Sequence, residues 1–435
     1  MSTMSTSSCG YKVRVICSFI VLSSSDFPKD IGSLEITDGL LPPSVKSSTI
    51  YSKISAANDL NLAVKKNMEE KGYEVQTTRI ATNSFTEYCD TSDTSDSSDD
   101  ADDALLTSQI TLIDAIISSL SIHFFSLGPC KTILQTSKYP LLILPLSPRL
   151  SLSSTIAACD LLHAQASART IIQLSKVPST NGLLNFRYCA QSTTSLPHAP
   201  FFPSAYSESV RPSTIRIAIG LENGFLANEG LALCSTLDDI GTKFRDLYSE
   251  RVAPLVEVTS KVVQGFKREG YTFEYVGIDT SLNPSLDKGG SIGSALESLP
   301  FVPSGIGGVG VMAAAAAITT TIQSLPFTLT GYCGIMLPVC EDYRLSEIQA
   351  GEGRKYTVSH LMNVSSVCGV GVDTVPIPKD VRFEEVAGVI LDICGLAARW
   401  NKPLSVRMFP VPDLGEGEMT GFDSPYLCNT KVFSL

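Results

Sequence analysis

The sequence predicts an α/β protein built on a parallel sheet with helices around it. Two observations carry the α/β class. Short apolar runs of strand character, TIRIAIGLE at Thr214–Glu222 being the clearest, alternate with helical stretches. Parallel strands need that spacing because their connections must travel back the length of the sheet, most often as a helix. The second observation is bulk: 43% of the 435 residues are hydrophobic and 18% are charged, enough apolar material for one large core.

Taken in order, residues 1–10 are Ser/Thr-rich and read as a disordered tail, and residues 11–435 as one large domain. Residues 12–22 form the first buried strand. Lys12 and Arg14 before an apolar run resemble a short signal peptide, but no small-residue cleavage site follows. A helix at 54–71 stops at Gly72, and 73–80 alternates like a strand. Residues 90–103, DTSDTSDSSDDADD, hold no large apolar side chain to offset the entropy of ordering them and read as a solvated, disordered insert. They lack the glycine and glutamate of an EF-hand.

A helix at 105–120 follows, then YPLLILPL at 139–146 with β character, a helix at 154–174, and the proline-rich loop PHAPFFPSAY. After the strand at 214–222 the pattern predicts a helix at 237–268, a strand at 272–278 and a helix at 292–299. GIGGVG opens a further helix running to Ile322. Strands at 331–339 and 367–375, a helix at Phe383–Trp400 and a strand at 403–408 complete the chain.

Charge narrows the partners. A formal net charge of −11 disfavours nucleic acid and anionic membranes. The longest apolar run, VGVMAAAAAI, is about half of the ~20 residues a bilayer span needs. The twelve cysteines show no CxxC or zinc spacing, so they read as reduced thiols of a cytoplasmic protein. A small-molecule ligand remains, and a homo-oligomer is compatible with the composition.

In parallel α/β folds ligands sit beyond the carboxyl ends of the strands. That rule selects Glu222, Asp279, Ser281, Glu341, Asp342, Asp373 and Arg407. The carboxylates could serve as acid–base groups or hold Mg²⁺ or Ca²⁺ through oxygen, the metal and cofactor being otherwise unspecified. Cys368, in VCGVGVD, is a thiol that a nearby cation or helix N-terminus would activate, and His360 is a candidate partner for it. Gly305, Gly307 and Gly310 satisfy G-x-G-x-x-G before a helix. They lack the preceding strand and the acid about 20 residues on that a dinucleotide needs, which leaves helix packing or a small anion at the helix N-terminus. Gly289, Ser291 and Gly293 match G-x-S-x-G, with Asp342 and His360 in triad order. A loop separates Ser291 from its strand, however, so a helix N-cap is the simpler reading.

Several ordered motifs resemble the domain-of-unknown-function family 711: GIDTSLNP (277–284), GYCGIMLPVCED (331–342), VCGVGVDTVPIPKD (367–380), WNKPLSVRMFPVP (400–412) and FDSPYLCN (422–429). YEVQTTRIAT (73–82) and NFRYCA (185–190) fit as well. The resemblance implies a fold related to the pyruvate formate-lyase-like barrel, with Cys368 placed like the cysteine that carries the radical in glycyl radical enzymes. The chain departs from that chemistry, since no glycine follows Gly421 and the glycyl radical motif is missing. The expectation is an enzyme acting on a small anionic metabolite at a barrel mouth, with Arg407 and the 305–310 turn holding the anion. A metabolite-binding or regulatory protein without turnover is the alternative, and a serine hydrolase a third.

Overall fold

The computed structural model describes residues 10–29, 31, 41–91, 100–178, 180–194, 198–208, 211–353 and 355–435. The expected tail, apart from Gly10, and residues 92–99 of the acidic insert lie outside the described residues. The flanks of the insert are built into the structure. Asp90 exchanges two hydrogen bonds with Gln109 at 2.7 and 2.8 Å, and a helix begins at Asp100.

The strands are β1 (Lys12–Phe19), β2 (Val75–Ala81), β3 (Phe125–Cys130), β4 (Leu150–Ile156), β5 (Tyr188–Ser192), β6 (Thr214–Glu222), β7 (Thr272–Asp279), β8 (Gly371–Ile377) and β9 (Ser405–Pro410). They form a single sheet in the order β7-β6-β1-β2-β3-β4-β5-β9-β8. Strands β1 to β5 are mutually parallel, β6 and β9 join them antiparallel at either side, and β7 and β8 extend those flanks in parallel. The sheet is therefore mixed and mostly parallel.

Both faces are buried. Ile16 of β1 and Leu152 of β4 pack under helices such as Thr49–Glu70 and Leu161–Ser175. Val15, Cys17 and Phe19 of β1 point the other way and meet Phe201, Tyr332 and Val370. That second cluster requires the sheet to curl. At ~4.8 Å between neighbours, β1 and β9 would stand about 24 Å apart in a flat sheet. Yet Arg14 of β1 and Arg407 of β9 bind the same carboxylate, that of Glu341.

Several elements differ from expectation for identifiable reasons. YPLLILPL is not a strand, since the helix Ile133–Ile143 runs through Pro140. Proline removes the donor that would meet the carbonyl of Thr136, and Thr170 Oγ1 donates to that carbonyl instead at 2.9 Å. The helix expected from 154 starts at Leu161, because 150–156 is β4, whose Leu150 and Leu152 face the helices while Ser151 and Ser153 face inward. β3, which contains Gly128 and Pro129, carries little strand signal. The long helix from Leu237 includes a π-helical stretch at Ile240–Phe244 and ends at Gly265.

The strand expected at 331–339 is absent. Side chains at and just after the end of β7 take its backbone donors: Asp279 accepts from the N–H groups of Tyr332 and Cys333, and Ser281 Oγ from that of Gly334. Gly331 sits at φ +78°, a turn conformation natural to glycine. The segment touches both outer strands or their extensions, through the bridges Ile278 to Leu329 and Leu282 to Ile335 and through the N–H of Cys340, which donates to Thr374 Oγ1 of β8. Among the described residues, no helix is long and apolar enough to cross a membrane.

Candidate functional site

The inward face of the curled sheet bounds a chamber of about 530 Å³. Its polar wall begins at an irregularity. The register of β1 against β6 shifts between Val13 and Val15, so Arg14 is the extra residue of a bulge, a device that re-aims a side chain. Arg14 reaches Glu222 Oε2 at 2.9 Å and Glu341 Oε2 at 2.7 Å. The other oxygen of Glu341 receives Arg407 Nη2 at 2.6 Å. Arg407 also grips Asp373 two-handed, Nε to Oδ1 at 2.6 Å and Nη2 to Oδ2 at 3.0 Å, the planar match that makes arginine–carboxylate pairs strong. Burial works against the Arg407 charge, but the Asp373 and Glu341 carboxylates outweigh it and hold the guanidinium above its ordinary value.

Arg79 of β2 is the exception on this wall. It lies half-buried against the chamber with its guanidinium 4.9 Å from the Phe124 ring centre and 5.2 Å from that of Phe202. Among the described residues its one hydrogen bond is from Nε to Thr77 Oγ1 at 3.1 Å, and no carboxylate pairs with it. Burial, together with the nearby charges of Arg14 and Arg407, lowers it to about 10. The chamber is lined by six basic and four acidic side chains in a chain of net charge −11. Lys12 and Arg149 are matched by Glu74 and Asp114. Among the described residues the lining bases that form no salt bridge are Arg79 and Arg187, and the Nη atoms of Arg187 bind the carbonyl oxygens of Leu144, Ser147 and Leu150, while Asp287 is the lining acid left without one.

Of the residues singled out from the sequence, Glu222, Glu341, Asp373 and Arg407 meet here in one network. The others lie elsewhere. Asp279 is fully buried and accepts from Ser281 (N–H and Oγ–H), Tyr332 and Cys333, so Asp279 and Ser281 fasten the 332–334 turn. Asp342 is also fully buried. It accepts from Ser291 Oγ and the N–H groups of Ile292, Gly293 and Leu345, joining the starts of two helices. In both aspartates burial raises the carboxyl above its usual range against the pull of these donors.

Ser291 caps its helix at Ser294 N, and His360 bonds Thr357 of its own helix, so the three residues in triad order do not assemble as a triad. Cys368 is 4% exposed, and burial pushes its thiol up to about 12 although Lys402 is near. Lys402 Nζ binds the carbonyl oxygens of Ser365 and Cys368. Gly305, Gly307 and Gly310 form the turn before Val311–Gln323. Gly310 there borders a separate, largely apolar cleft of about 350 Å³ with Val309, Met312 and Leu361.

The carboxyl-end rule assumed one strand direction. With two antiparallel junctions, β6 contributes its last residue, Glu222, while β3 to β5 present their amino ends, including Phe124, Arg149 and Cys189. Reading the sequence alone thus missed Arg14, Arg79, Cys189 and Tyr332. The available signal was a lone arginine inside each of two strand runs, KVRVIC and TTRIAT. Burial raises the Cys189 thiol, with Arg407 pulling it partly back. Among the described residues, no three His, Cys, Asp or Glu side chains are grouped to hold a metal ion.

The fold and chamber define an α/β protein with a polar, arginine-rich interior site. The model of the family described as "Uncharacterised ACR (DUF711)" matches residues 39–423, and the chain belongs to that family. It is similar to a UPF0210 protein of Pyrobaculum arsenaticum, 28% identical over 278 residues, or 62% of this chain and 58% of the relative. A UPF0210 protein of Methanopyrus kandleri is 26% identical over 227 residues, 51% of this chain and 48% of the relative. One of Bifidobacterium longum is 31% identical over 149 residues, 33% and 32% respectively. The chain spans 56–58% of the length of the Pyrobaculum relatives.

Proposed function

We propose that the chamber binds a small organic anion and that Arg79 is its anchor. One observation carries this reading. Glu222, Glu341 and Asp373 on the inner wall each face a guanidinium, whereas Arg79, among the described residues, is a cation without a carboxylate, held between two rings and lining the cavity. A sheltered guanidinium with free donors favours an anion, and the enclosing walls strengthen the attraction by excluding water. Phe201, Tyr332 and Met336 offer apolar contact to the rest of the ligand.

Glu341 and Asp373 are engaged by Arg14 and Arg407, so we read them as groups that fix those guanidiniums and not as free bases. Turnover is a second reading. It is favoured by the thiol of Cys189 and the hydroxyl of Tyr332, both of which line the same cavity.

We also read the curled sheet as a barrel of the pyruvate formate-lyase-like kind, completed by the 329–341 segment. The contacts of that segment with Ile278, Leu282 and Thr374 support this. A crystal structure with the β7 and β8 sides splayed apart would overturn it.

The anion reading is tested by thermal denaturation against a panel of mono-, di- and tricarboxylates and phosphorylated metabolites. At ligand concentrations near 100 times Kd, binding adds about 2.7 kcal/mol and raises Tm by a few degrees. Arg79→Met is expected to abolish the rise. No response to any anion, or an equal response in the variant, refutes the assignment.

A further inference from the structure

The atoms left open on the chamber wall specify the ligand further, given the anion reading above. Glu222 closes β6 and is 7% exposed. Both of its hydrogen bonds arrive at one oxygen, Arg14 Nη1 and Gln76 Nε2 each lying 2.9 Å from Oε2. Among the described residues no donor reaches Oε1, and the Glu222 side chain lines the chamber. The nearest spare cation by sequence, Lys12, is turned to Glu74 at 3.0 Å. An ionised carboxylate accepts on both oxygens, so Oε1 has capacity for a further donor. The wall therefore presents an unmatched donor group at Arg79 and an unmatched acceptor at Glu222.

We propose that Glu222 is a specificity residue that receives a hydroxyl or ammonium group of the ligand whose anionic group lies on Arg79. The ligand is then an elongated organic anion with a hydrogen-bond donor at its far end. The strand geometry sets the span. Gln76, which holds Glu222, and Arg79 are three residues apart on β2, about 10 Å at ~3.3 Å per residue. The bond of Arg79 Nε to Thr77 turns its side chain back along the strand, so 10 Å is an upper bound. Donor and anion consequently belong on opposite ends of the molecule and not on adjacent carbons.

Three probes test this by calorimetry on the full chain: 3-phenylpropanoate and its para-hydroxy and para-aminomethyl derivatives. The expected result is that at least one derivative binds wild type about tenfold tighter than the parent, as one hydrogen bond to a charged group warrants. In Glu222→Gln the Arg14 and Gln76 donors keep the amide oxygen, so the amide nitrogen replaces Oε1. The advantage of the ammonium probe should then vanish. Equal affinities for all three probes, each lost in Arg79→Met, overturn the role of Glu222 and leave the anion site standing. If none of the three binds while other anions do, the inferred span is wrong and the proposal falls. If no anion binds at all, the reading beneath it falls too. The wild-type series decides the matter even if the Glu222 variant does not fold.

Discussion

Glu341 holds a guanidinium on each oxygen, at 2.6 and 2.7 Å, while itself only 6% exposed. Breaking such a pair leaves a charge stranded away from water. Arg407→Met, which abandons both Glu341 and Asp373, is expected to cost about 3–5 kcal/mol. Urea denaturation reads this out, and a loss below about 1 kcal/mol would mean that water already solvates the carboxylates. The cysteines give a second test. Cys159 is exposed, whereas Cys189 and Cys368 are buried with thiols pushed up, Cys368 to about 12. Since thiolate is the reactive form, iodoacetamide at pH 8 should label Cys159 in the native protein and the other two only in denaturant, as peptide mass spectrometry would show. Glu341, Asp373 and Arg407 were legible in the sequence because each is a charge at or near the end of an apolar run. Arg14 and Arg79 were not. A period-two pattern cannot distinguish a polar residue facing solvent from one facing an enclosed chamber, as at Arg79, and it does not foresee the bulge that turns Arg14 inward.

Helix starts and one helix interior depend on single side chains. Asp342 accepts four hydrogen bonds, three of them from the N–H groups of Ile292, Gly293 and Leu345, so it ties two helix beginnings together. Asp342→Asn would set an amide N–H₂ against some of those donors and is expected to cost about 3 kcal/mol in chemical denaturation. An unchanged midpoint would mean that another group can cap both helices. Thr170→Val removes the hydroxyl that meets the Thr136 carbonyl beneath Pro140. The expected loss is about 1–3 kcal/mol, the penalty for a buried acceptor without a partner. Elements were legible where side-chain chemistry and geometry agreed, as in β6 and in Phe383–Trp400, both found with the bounds expected. β4 escaped because serines fill its inward face, and the 331–339 segment misled because its apolar residues pack while Asp279 and Ser281 take its backbone donors.

At the scale of the molecule, curling brings together residues that sheet order keeps apart. Arg14 and Arg407 stand five strands apart and share one carboxylate. A double-mutant cycle between Arg14→Met and Arg407→Met should return a coupling energy of about 1 kcal/mol or more, as for residues in one network. A value near zero would indicate a sheet more open than described. The bulge that turns Arg14 inward also has a bearing on biosynthesis. Its partner Glu341 lies 327 residues further along the chain. Contacts so distant in sequence form late and slow folding. During translation β1 therefore emerges long before its ion-pair partner has been made, and the nascent arginine keeps its hydration until that segment arrives. Burial of Arg14, and with it completion of the chamber, should be among the last events of folding, so a nascent chain halted before 341 would have no closed chamber.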